Sequence, residues 1–74
     1  MQSYKDVISA TRDEDWAEEF SVTHADEDVM VFSALASAGD AIETIELMGF
    51  MSEHGYELWC VVPDAREFQF RRTA

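Results

Sequence analysis

From Asp13 to Ala65 the chain runs 53 residues without a lysine or arginine, and it places 14 aspartates and glutamates in that stretch. Whatever it folds into carries one sign of charge over most of its surface, and self-repulsion works against compactness. Apolar packing therefore has to hold the fold. With 74 residues, one domain spanning 1–74 is expected, near the lower size at which a single core suffices. The 47% hydrophobic content and nine aromatics are those of a globular chain, not of a disordered acidic tail.

The apolar pattern changes period along the chain. Tyr4, Val7, Ile8 and Thr11 recur at helical spacing behind Ser3, a candidate N-cap with Asp6 three positions on. Glu19 to His24 alternates, with Phe20 and Val22 on one side, and predicts a half-exposed strand. An acidic turn, Asp26-Glu27-Asp28, separates it from a second strand, Val29 to Leu35, so the pair reads as a hairpin. A helix is predicted from an Asp40 cap to about Glu53, with Gly39 before it and Gly55 in the left-handed position after it. Its apolar face is expected to be Ala41, Ile45, Met48 and Ser52, extended by Leu47 and Met51, with Glu43, Glu46, Glu53 and Phe50 opposite. Tyr56–Val62 and Glu67–Arg72 are strands joined through Pro63-Asp64-Ala65, Phe68 and Phe70 pointing inward.

The fold class that follows is α+β: a mostly antiparallel four-stranded sheet, β-β-α-β-β, with one main helix across a face and a short N-terminal helix. Met30 and Phe32 point opposite to Val29, Val31 and Leu35, and strict alternation sets Trp59 and Val61 opposite to Leu58, Cys60 and Val62. Both sheet faces are thus partly apolar. The second is expected to be covered either by the N-terminal helix or by another copy of the chain.

Composition narrows the function classes. A polyanion needs neutralising cations, and a chain with five of them and a formal charge of −11 is not expected to bind nucleic acid directly. No apolar run reaches membrane-spanning length, and the first residues lack a signal-peptide pattern. The single Cys60 permits no internal disulfide, so a cytoplasmic location is expected.

Catalytic and metal chemistry find little support. Cys60 with His24 or His54 would make a nucleophile and base, but a thiol between Trp59 and Val61 in mid-strand reads as a small buried hydrophobe. His54 is expected to sit at the helix C-terminus and His24 to be solvated. The acidic clusters lack the alternate-ligand spacing of a calcium loop, and one cysteine with two distant histidines cannot hold zinc. No cofactor and no enzymatic activity are expected.

The acidic clusters admit two readings, a solvated coat or a docking surface. Alternate residues on a strand lie roughly 6.6 Å apart, a spacing comparable to neighbouring phosphates of a nucleic acid. Glu19, Asp26 and Asp28 with Asp13, Glu14 and Asp15 would present one such row, with Glu27 a further candidate contact beside it, and Glu43, Glu46 and Glu53 a second. Phe50 among those glutamates reads as an apolar interface anchor with a charged rim, or as core if the helix is rotated.

Gly55-Tyr56-Glu57-Leu58, Val61-Val62-Pro63 and Phe68-Gln69-Phe70-Arg71-Arg72 resemble a small bacterial and phage domain family of unknown function. The resemblance covers about half the chain and implies a fold, nothing catalytic. Layout and charge are also similar to small phage-encoded inhibitors of host enzymes, including one that acts on bacterial RNA polymerase. That likeness implies an inhibitor docking on a basic, nucleic-acid-binding surface of a CRISPR-type defence complex or host enzyme, in the host cytoplasm. The alternative is a non-catalytic scaffold domain, homodimeric and acidic for solubility or life in high salt.

Overall fold

The computed structural model of the chain describes residues 3–35 and 41–73. The element order is α1 (Tyr4–Thr11), a 3-10 turn (Asp15–Glu19), β1 (Phe20–Ala25), β2 (Val29–Ala34), α2 (Ala41–Glu53), β3 (Tyr56–Val62), a second 3-10 turn (Pro63–Ala65) and β4 (Glu67–Arg72). The four strands form one sheet in the order β1-β2-β4-β3, with every neighbouring pair antiparallel. The α+β architecture read from the apolar pattern is the one observed. The expected Asp40 cap and Gly39 lie outside the described residues.

Local chemistry places the ends. The Ser3 hydroxyl accepts from the Asp6 N–H at 3.3 Å and starts α1. Gly55, at φ 85°, terminates α2 in the left-handed region, where a side chain would strain the backbone. Pro63 sets the turn into β4, and Arg66 takes the left-handed position at φ 53°.

Cross-strand partners share a face. Met30 faces Phe70, Phe32 faces Phe68, and Leu58 faces Phe70, which gathers these side chains on one side of the sheet. Val7 of α1, Trp16 of the 3-10 turn, and Leu47 and Met51 of α2 join them in a single buried cluster with Phe20 and Tyr56. Each such apolar side chain, fully buried, contributes roughly 1.5–3 kcal/mol.

Three expectations are corrected. First, α1 does not cover the outer face; it shares the inner one with α2, because its buried residues Val7 and Thr11 turn toward the common core. Second, α2 is rotated from the face its periodicity suggested. Leu47 and Met51 are fully buried and Phe50 packs at the margin of the core, while Ile45 is 66% and Met48 39% exposed. Trp16 is the cause, since it meets the Phe50 ring edge-on at 5.4 Å and draws that side of the helix inward.

Third, β3 does not alternate strictly. Its register slips by one residue between Leu58 and Cys60, which pairs Val61 with Phe68 yet leaves it 46% exposed, and Trp59 turns outward under the Arg71 guanidinium at 5.9 Å. Cys60, opposite Gln69 on the outer face, is half-buried and not a core residue.

Candidate partner-binding surface

The 3-10 turn Asp15–Glu19 exists because Trp16 has to reach the core while its acidic neighbours stay in water. Trp16 is buried, edge-on to Phe20 at 6.1 Å and to Phe50 at 5.4 Å. With the indole anchored, Glu14, Asp15 and Glu19 are held along one rim. Opposite them, α2 raises Glu43, Glu46 and Glu53, spaced near one and two helical turns. The result is a groove of two adjoining hollows, about 280 and 140 Å³, that share Trp16 and Glu46. Phe50 and Gly49 line the larger hollow and Glu43 the smaller.

Two sequence-separated clusters, expected as separate rows, therefore meet on one surface. Six carboxylates surround two aromatic rings, and Phe50 is the half-buried wall of the groove, not a projecting anchor. The ion pairs Arg71–Glu57 and Arg72–Glu27 lie away from this groove. One oxygen is worse placed than the rest: Glu43 Oε2 is closed to solvent and has no hydrogen-bond partner among the described residues. A buried acceptor left unpaired costs roughly 1–3 kcal/mol, more when charged, and a partner's ammonium or guanidinium would relieve it.

The remaining acidic residues are placed elsewhere. Asp13 is exposed in the connection ahead of the turn. Asp26, Glu27 and Asp28 sit at the far end of β1, roughly 20 Å from Glu19 at about 3.3 Å per residue. Two of them are committed within the chain. Asp26 Oδ1 accepts the N–H groups of Asp28 and Val29, each at 2.8 Å, and Oδ2 lies 2.8 Å from His24 Nε2. The Val29 N–H, then His24, then the Asp28 N–H hold the Asp26 carboxyl below the ordinary carboxylate range.

Glu27 belongs to a clamp around Arg72. The guanidinium donates to the Glu27 carbonyl at 2.7 Å, to its carboxylate at 3.2 Å and to the Tyr56 hydroxyl at 2.6 Å, and stacks 4.6 Å from the Tyr56 ring centre. Burial raises the Tyr56 pKa against the opposing pull of Arg72. Sequence reasoning missed Trp16 as the base of the groove and Arg72 as the hairpin's lock. A tryptophan between two acidic runs is the signal that pointed to the first.

The histidines and cysteine form no evident centre. The His54 ring lies 4.3 Å from that of Phe50, and among the described residues no group of three His, Cys, Asp or Glu is placed to hold a metal ion. No described helix is long and apolar enough to cross a membrane. No protein-family model, curated protein or solved structure matches this chain. What the protein does has to be read from its own side chains.

Proposed function

We propose that the protein is a non-catalytic inhibitor that docks its acidic groove on a basic surface of another protein. The occupied surface is one that otherwise holds DNA or RNA, on a defence complex such as a CRISPR effector or on a nucleic-acid enzyme of the host. The observation that carries this reading is the convergence of Glu14, Asp15, Glu19, Glu43, Glu46 and Glu53 around Trp16 and Phe50, with a carboxylate oxygen of Glu43 shut in and without a hydrogen-bond partner among the described residues. Aromatic surface inside a charged rim is the anatomy of a binding centre. A net charge of −11 steers such a surface toward a cationic target and makes association fast and salt-sensitive.

The test compares Glu43→Lys with Glu46→Lys against Asp26→Lys with Asp28→Lys, each pair immobilised and used to capture proteins from a nuclease-treated lysate. The groove pair is expected to lose nucleic-acid-binding proteins that the wild type retains at about 50 mM salt and releases near 500 mM. DNA or RNA added in excess is expected to compete. Capture that ignores salt, nucleic acid and the groove substitutions would refute the proposal.

A second reading, a scaffold domain that pairs with its own copy, is favoured by the outer face of the sheet, which neither described helix covers. Trp59 is 53% exposed there, beside Val29, Val31, Cys60 and Val62. Sedimentation of the wild type and of Trp59→Lys separates the two: a dimer abolished by that substitution supports the scaffold.

A further inference from the structure

Two hollows of another character meet along the seam between α1 and β1. One, about 330 Å³, is walled by Ile8, Trp16, Phe20, Val22 and Phe32, with Arg12 at its edge. Its neighbour, about 300 Å³, shares Ile8, Arg12 and Val22 and adds Lys5. These volumes stand at the lower end of the range of roughly 300–1,000 Å³ found for small-molecule sites.

Charge makes this cleft unusual in this chain. Lys5 and Arg12 are the only lysine and arginine in the first 65 residues, and both line it. Seven positions apart, they stand on one side of α1, about 10 Å apart along its axis, with Ile8 between them. In a molecule with 16 carboxylates, neither makes an ion pair among the described residues. Cations left unpaired beside apolar walls fit a ligand that has an apolar body and an anionic head.

We infer that the α1–β1 cleft binds a single small amphiphilic anion, a carboxylate with an apolar tail of medium length. Its tail lies against Trp16, Phe20 and Val22, and its head meets Arg12 and Lys5, which line the same hollow as Ile8. A free molecule fits better than a lipid surface, because the cleft is concave and the field of the remaining carboxylates repels an anionic bilayer. This site is separate from the acidic groove, although Trp16 backs both. Binding would also fasten α1, an eight-residue helix held to the core by Val7 and Thr11.

The experiment uses decanoate as probe and the Trp59→Phe chain, in which Trp16 is the sole tryptophan and reports the cleft by fluorescence. A saturable change with decanoate is expected, weakened about tenfold in Lys5→Gln with Arg12→Gln. Decanol, which lacks the charge, is expected to bind both forms equally. Both substituted residues are exposed, and circular dichroism checks that the fold is kept. No saturable response of Trp16, or a decanoate affinity indifferent to loss of both cations, overturns the inference; capture of basic proteins by the groove is unaffected either way.

Discussion

At the scale of single residues, the β1–β2 turn shows how an acidic cluster can be structural. Asp26 satisfies two backbone N–H groups that a turn would otherwise leave to water, and the Val29 N–H, then His24, then the Asp28 N–H lower its pKa. A carboxylate whose folded pKa lies below its unfolded value adds stability above the unfolded value, near 4, and loses it as pH falls through the folded one. Asp26→Asn keeps an oxygen acceptor for both N–H groups but removes the titration. Urea denaturation is expected to show a smaller loss of stability between about pH 6 and pH 3 in this variant than in the wild type. An unchanged pH dependence would mean that the turn's bonds do not favour the ionised form. Arg72 works from the opposite strand. Its side chain is only 11% exposed and serves Glu27 and Tyr56 together, so Arg72→Met is expected to cost roughly 2–4 kcal/mol in the same assay. Arg72→Lys should recover only part of this, since an ammonium cannot reproduce the fork.

At the scale of elements, what was legible in the sequence was local. Ser3 before α1, Gly55 after α2 and Pro63 ahead of β4 act on their own neighbours, and each boundary falls where those residues put it. The hairpins followed from alternation and turn residues for the same reason. The rotation of α2 was not legible, because Ile45, Leu47, Met48, Phe50 and Met51 spread apolar surface around most of the helix. Which part goes inward is decided by Trp16, some thirty residues earlier in the chain. The slip in β3 was hidden likewise, since nothing between Leu58 and Cys60 marks a bulge, and its partner β4 defines it. The acidic groove was read as two sets of residues but not as one surface, for it depends on that same helix rotation. Substitutions discriminate the two orientations. Leu47→Ala and Met51→Ala are expected to cost about 2–5 kcal/mol each, and Ile45→Lys and Met48→Lys less than about 0.5 kcal/mol, by chemical denaturation. The reverse ranking would restore the face that periodicity alone selects.

At the scale of the whole molecule, charge is sorted by place. Arg66, Arg71 and Arg72 belong to β4 and the turn before it, Lys5 and Arg12 to α1 and its end, and the 3-10 turn and α2 are left with carboxylates alone. Such crowding opposes folding, and it is most costly where Glu43 already holds an oxygen away from water. Glu43→Gln with Glu46→Gln should therefore raise the melting temperature at low ionic strength while weakening partner capture, the opposition expected of residues retained for binding. Salt distinguishes this from a solvating coat. The screening length falls from about 10 Å at 0.1 M to about 3 Å at 1 M, so repulsion across the groove is largely removed before molar concentrations are reached. For a docking surface, the wild type is folded at low salt, the double variant melts higher there, and the two curves merge by about 0.5 M potassium chloride. For a coat adapted to brine, the wild type unfolds at low salt and goes on gaining stability into the molar range, and the double variant loses part of that gain. Melting curves of both proteins across this range decide between a surface shaped for a cationic partner and one shaped for the solvent.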